Sequence, residues 1–223
     1  MPLSSNIWAL VPVKKLAGAK KRLSDVLSEE ERSALSHAML EDVLGALTRA
    51  NGLAGTAVVT ADEEAVAVAR RYGAATIADR ASSLNEALTE ASKVLATYAA
   101  QGVLIVHADL PLASSREVEA IIRHAGPAPS ATLVPARADG GSNAMLLMPP
   151  NAIELAYGEG SFAKHRTAAH AAGLDVRALD SAGLGLDVDR PDDLEALLAD
   201  PTPCRTRDYL LASGIAERLE RSG

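Results

Sequence analysis

Short apolar runs alternate along this chain with longer stretches that carry one apolar face, and few architectures accommodate such a pattern. "IWALVPV" (7 to 13), "TAVVTA" (56 to 61), "AATIAD" (74 to 79) and "GVLIVHADLP" (102 to 111) read as strands. Between them the period changes to that of a helix. Ser28 and Glu31 form a capping-box pattern, and Leu35, Met39, Val43 and Leu47 then recur every four residues. Further helices are predicted from Glu63 to Tyr72, from about Ser83, and from Ser115 to His124. Strand, helix, strand in this order predicts an α/β fold of three layers, a mostly parallel sheet flanked by helices.

The second half reads less regularly. Residues 131 to 148 are two β segments around "RADGGSN", a hairpin-like insertion whose glycines relieve the backbone. "GEGSFAKHRTAAHAAG" (158 to 173) is a glycine-rich turn feeding a helix, "DVRALD" a strand, and "RPDDLEALLAD" a short helix with Pro191 near its first position. Leu211, Ile215 and Leu219 mark one face of a terminal helix. Residues 204 to 223 therefore dock either on their own domain or on a second subunit, as in a homodimer.

Two clusters of charge stand out against a net charge of -7. "KKLAGAKKR" (14 to 22) holds five cations in nine positions directly after the first strand, where ligands of α/β sheets settle. It matches neither a Walker loop nor G-x-G-x-x-G. It reads either as a solvated loop or as Lys14, Lys20 and Arg22 converging on an anion such as a triphosphate. "LGLDVDRPDDL" (184 to 194) packs four aspartates into seven positions. Asp192 and Asp193 fall in the first turn of the helix after Pro191, where its dipole favours negative charge. Asp187 and Asp189, spaced i and i+2, share one face of an extended segment and can join Asp109, at the end of the 102–111 run, around a divalent cation such as Mg²⁺. Each also has an ordinary reading, Asp189 as a helix N-cap and Asp109 as a turn residue.

Other chemistry is excluded or open. The acidic balance and 3% aromatic content argue against a nucleic-acid surface. No apolar run approaches the ~20 residues of a membrane span, and "MPLSSNIWALVPVKK" lacks the charged start and cleavage site of a signal peptide. The single cysteine, Cys204, rules out an internal disulfide and a cysteine metal cluster. The expectation is a cytoplasmic protein. No G-x-S-x-G elbow or H-x-x-x-H spacing appears, His107 reads as a core residue, and His165 and His170 as helix surface. Ser142 in "DGGSN" and Ser161 in "GEGS" are either ordinary turn and cap residues or, with the N–H groups of a helix start, a cradle for a carboxylate or phosphate.

"VPVKKLAGAKKRL", "LNEAL" (84 to 88), "HADLP" (107 to 111), "DGGSNAML" (139 to 146), "YGEGSFAKH" (157 to 165) and "LDVDRPDDL" (186 to 194) together resemble, in order, the phosphoenolpyruvate/2-phospho-lactate guanylyltransferases of deazaflavin cofactor biosynthesis. The resemblance spans residues 7 to 198. It implies a glycosyltransferase-A-like nucleotidyltransferase domain over residues 1 to 223, using GTP and Mg²⁺. It places Lys14, Lys20 and Arg22 by the triphosphate, Asp109, Asp187 and Asp189 on the metal, Asn85 near the guanine, and Ser142, Gly158 and Ser161 around the acceptor acid. That acid would be 2-phospho-L-lactate, phosphoenolpyruvate or 3-phospho-D-glycerate, and the sequence does not choose among them. Two positions depart from the family pattern, Ser142 where threonine is common and Glu159 where proline is. Molybdopterin guanylyltransferases and sugar- or polyol-phosphate cytidylyltransferases share the fold, but they open with an L-A-G-G/A-G-x-S/G-x-R loop that this chain lacks. A regulatory nucleotide-binding domain would be expected to have lost one of the three aspartates, and all are present.

Overall fold

The structure, a computed structural model, describes residues 6–222. Residues 1–5 of the stretch examined for a leader, and Gly223 of the terminal segment, lie outside the described residues. Seven strands form one sheet in the order β3-β2-β1-β4-β6-β5-β7. They are β1 (Ile7–Val13), β2 (Leu53–Thr60), β3 (Ala75–Ala78), β4 (Gly102–Val106), β5 (Ser130–Pro135), β6 (Ser142–Met148) and β7 (Asp175–Ala178). All pairings are parallel except those of β6, which runs antiparallel to both β4 and β5. The "RADGGSN" segment is accordingly a hairpin connection, closed by the Ala136 N–H donating to the Gly141 carbonyl at 2.8 Å.

Helices cover both faces of this sheet because its central strands are apolar on both. On one side Leu40, Val43, Leu44 and Leu47 of α1 (Glu29–Arg49) pack on Ala9, Val11 and Val13 of β1. On the other, Leu88, Ala91 and Leu95 of α3 (Leu84–Thr97) pack on Leu10, Val59 and Ile105. Fully burying a leucine is worth about 1.5–3 kcal/mol, so these two clusters dominate the stability of the layers. α2 (Glu63–Arg71), α4 (Ser115–His124), α5 (Ser161–Ala171) and α6 (Pro191–Ala199) complete them. Local signals set the helix starts. Ser28 and Glu31 form the reciprocal capping box, Ser83 accepts from the Glu86 N–H, and Pro191 occupies the first turn of α6.

Two readings change. The expected terminal helix is two, α7 (Arg205–Ala212) and α8 (Ile215–Ser222), broken at Gly214 with φ of 71°. The break shifts the apolar face, so Leu210, Ile215 and Leu219 are buried while Leu211 is 52% exposed. They join Leu35 and Met39 of α1 and Leu186, Val188, Leu194 and Leu197 in a third cluster. The β4 strand stops at Val106, leaving His107, Ala108 and Asp109 in the loop beyond it. Among the described residues no helix is long and apolar enough to cross a membrane.

Candidate active site

The loops that leave the carboxyl ends of β1 and β4 meet the segment before α6. Alternation in that segment sorts its side chains. Leu186 and Val188 enter the third core cluster, which turns Asp187 and Asp189 the other way. The Val188 N–H donates to the Asp109 carbonyl at 3.1 Å and ties the segment to the β4 loop. Asp109, Asp187 and Asp189 thereby line one cleft of about 580 Å³, together with Arg22, His107, Ser142, Asn143, Gly158, Glu159, Ser161 and Arg190.

Lys20, which lines an adjoining cavity, links two of these aspartates. Its ammonium donates to Asp109 Oδ2 at 2.6 Å and to Asp189 Oδ1 at 2.5 Å, with only 9% of its side chain exposed. Burial opposes its charge, but Asp109 and Asp189 together outweigh this and hold its pKa above the ordinary 10.5. Burial likewise opposes ionised Asp109, and Lys20, with His107 adding, keeps that carboxyl below its ordinary value. Asp187 moves the other way. Burial raises its pKa, Asp109 and Asp139 add to the rise, and a hydrogen bond from Asn143 opposes it. Lys20 also holds a left-handed backbone, φ 53°, which costs a non-glycine residue about 1–2 kcal/mol.

The three predicted cations lie along one edge. Lys20 and exposed Arg22 share the Asp189 carboxylate, Arg22 at 3.5 Å, and Lys14 lines with Lys20 and Asp109 the cavity adjoining the cleft. The three aspartates are not a ready-made ligand set. Among the described residues no three His, Cys, Asp or Glu side chains gather around one point fit for a metal. Like charges approach only with a cation among them, and Lys20 supplies it. Asp189 is not the helix cap, a position held by Arg190. Asp193 instead accepts from the Asp189 and Arg190 N–H groups at 2.9 and 2.7 Å, in the helix-start role expected of it.

Ser142 and Ser161 are each 2% exposed and bonded inward. The Ser142 N–H donates to Ser161 Oγ at 3.0 Å, and Ser142 Oγ lies 3.0 Å from His165 Nδ1. Two N–H groups of the α5 start are already used, Ser161 on the Gly158 carbonyl and Phe162 on the Gly140 carbonyl. Gly158 borders the cleft with φ of 126°, a conformation that side-chain-bearing residues rarely adopt. Asn85 spends its amide on the backbone of Tyr157, accepting from the N–H at 2.8 Å and donating to the carbonyl at 3.4 Å.

Three residues have roles that local pattern did not reveal. His165, expected on a helix surface, is fully buried, because α5 packs it against β6 and residues 156–157. Burial first, with His107 and Lys164 adding, lowers its pKa to about 4. His107, expected as a satisfied core residue, borders the cleft, and its Nε2 is buried without a hydrogen-bond partner. Asn143 is a junction, donating to the Leu184 carbonyl at 3.0 Å and to Asp187 Oδ1 at 3.1 Å while its own carbonyl accepts from the His107 N–H. A polar residue opening the apolar run "AMLLM" was the available signal.

This sheet order and cleft define a nucleotidyltransferase fold. A crystal structure described as that of a nucleotide-diphospho-sugar transferase from Desulfovibrio desulfuricans superimposes with a TM-score of 0.78 at 18% identity, covering 97% of this chain and 98% of the other. The 4-diphosphocytidyl-2C-methyl-D-erythritol synthase fold is also similar, with a TM-score of 0.62 at 19% identity over 89% of this chain and 100% of that one. Within that class, the family described as "Guanylyl transferase CofC like" matches residues 7–223, and the chain belongs to it. It is 40% identical over 189 residues to the phosphoenolpyruvate guanylyltransferase of Sphaerobacter thermophilus, covering 85% of this chain and 91% of that protein. It is 35% identical over 203 residues to the 2-phospho-L-lactate guanylyltransferase of Methanothermobacter thermautotrophicus, covering 91% and 88%.

Proposed function

We propose that the chain transfers the guanylyl group of GTP to the phosphate of a small phosphorylated three-carbon acid, releasing pyrophosphate, with Mg²⁺ as its metal. The observation that carries the reading is the charge of the cleft. Five carboxylates, of Asp109, Asp139, Glu159, Asp187 and Asp189, stand there against three cations, the guanidinium groups of Arg22 and Arg190 and the Lys20 ammonium paired to Asp109 and Asp189. Two anionic substrates enter such a cleft only if more positive charge comes with them.

The residues present suit a hard divalent cation. Asp109, Asp187 and Asp189 are an all-oxygen donor set, and Asp109 Oδ1 is buried without a hydrogen-bond partner. When bound, the metal would neutralise developing phosphate charge. The chain does the rest. Asn143 and the Val188–Asp109 bond fix where Asp187 and Asp189 point. Lys14, Lys20 and Arg22 supply the positive charge that attracts the triphosphate. No protein nucleophile or general base is needed, because an acceptor phosphate is largely dianionic at pH 7, its second pKa being about 6. Its oxygen attacks the α-phosphorus of GTP, and the bond to pyrophosphate breaks.

The test incubates the purified chain with GTP, Mg²⁺ and, separately, phosphoenolpyruvate, 2-phospho-L-lactate and 3-phospho-D-glycerate, reading products by mass. Phosphoenolpyruvate leads the panel because the Sphaerobacter relative carries that name. Asp109→Asn and Asp187→Asn should each lower turnover by at least about a hundredfold. Near-normal turnover in either folded variant, or no guanylylated product from any acid, refutes the assignment.

A further inference from the structure

We infer that Asn85 is a positioning residue for the acceptor side of the cleft, anchoring the 156–161 loop rather than reading the nucleotide base. The inference rests on the guanylyl-transfer reading for what the cleft binds. Its structural basis is independent of that reading.

Asn85 is the second residue of α3, a helix whose start is capped by Ser83 and whose Leu88 is fully buried. From that fixed base it meets both polar groups of the Tyr157 backbone, at 2.8 and 3.4 Å. The amide thus pairs with the loop as a strand neighbour would. The two bonds fix the orientation of the amide toward the loop, and Asn85 borders neither the cleft nor the adjoining cavity that Lys14 and Lys20 line.

The loop has other anchors. His165 Nε2 accepts from the Ala156 N–H at 2.9 Å, so this nitrogen carries no proton, and the neutral ring donates from Nδ1 to Ser142 Oγ. The Tyr157 ring is wedged between His107, with centroids 5.0 Å apart, and His165, at 4.7 Å. Ser161 Oγ closes the far end on the Ser142 N–H. Between the anchors run Gly158, Glu159 and Gly160, with φ of 126° at Gly158 and 63° at Gly160. Gly158 and Glu159 border the cleft. Such backbone has little steric reason to hold one shape, so the anchors on either side determine where it lies. Asn85 supplies one of them from outside the cleft wall.

The experiment compares wild type, Asn85→Ala and Asn85→Asp. Asn85→Ala should raise KM for the acceptor acid about tenfold while KM for GTP and the preference for GTP over ATP, CTP and UTP stay within about twofold. Asn85→Asp keeps an oxygen for the Tyr157 N–H but sets another against the Tyr157 carbonyl, so it should recover only part of the acceptor KM, with nucleotide preference unchanged. Amide hydrogen exchange should accelerate at residues 156–161 in Asn85→Ala and not in β1, a readout that survives even if none of the three acids is the substrate. A selective loss of GTP binding by calorimetry, a changed nucleotide preference, or lowered thermal stability with both KM values unmoved would each overturn the inference.

Discussion

Replacing Lys20 with methionine keeps most of the side chain's length and removes its charge from between Asp109 and Asp189. Breaking a buried ion pair by deleting one partner costs about 3–5 kcal/mol, chiefly because the remaining charge is left without compensation. Here the lower end applies. Asp189 is 36% exposed and regains water, leaving Asp109, at 25%, as the main loser. In chelator the variant should therefore be about 3 kcal/mol less stable, which for a chain of this size lowers Tm by roughly 6–12 °C. A divalent cation should give back much of this. At a hundred times its dissociation constant a ligand adds about 2.7 kcal/mol, and in wild type part of that gain is spent on displacing the ammonium. Urea titrations of both proteins, with EDTA and with Mg²⁺, measure the difference. Equal stability of the two in EDTA, or a larger gain from Mg²⁺ in wild type than in Lys20→Met, would show that Lys20 does not hold the cation's place.

His165 supplies a pH test. Its folded pKa of about 4 lies below the ordinary 6.5, so its contribution is complete above pH 6.5 and fades as pH falls towards 4, by about 3 kcal/mol in all. Denaturation of wild type and His165→Gln at pH 7 and at about pH 4.5 should show the gap between them narrowing in acid, and a constant gap would contradict the buried neutral ring. Asp42 of α1 holds the start of α7, accepting from the Arg205 N–H at 2.8 Å, the Thr206 N–H at 2.9 Å and Thr206 Oγ1 at 2.6 Å. Asp42→Ala should cost about 2–3 kcal/mol and speed hydrogen exchange across α7, and a loss below about 1 kcal/mol would mean the third cluster alone docks that helix.

Legibility in the sequence followed the range of the interaction. Ser28 with Glu31, Ser83 and Pro191 act within four residues, and each helix start they predict is present. The alternation of Leu186, Asp187, Val188 and Asp189 is also local, and it correctly put both aspartates on one side. His165 was misread because its helix has no clean apolar stripe. Its burial is decided by Ser142 and the Ala156 N–H, which belong to another strand and another loop. The terminal helices were misread by one position, since Gly214 breaks the period and exchanges Leu211 for Leu210 on the buried face.

From sequence alone came the alternating layers, the helix starts and the two opposite charge clusters, all products of backbone sterics, capping and side-chain period that neighbouring residues enforce. Tertiary structure decided the partners. Lys20 meets Asp109 across 89 positions and Asp189 across 169, and Asn85 meets Tyr157 across 72. Those meetings depend on β4 pairing beside β1 and β6 running antiparallel between β4 and β5. An ion pair or hydrogen bond acts over a few ångströms, so its energy exists only once the sheet order has brought distant loops to the same edge.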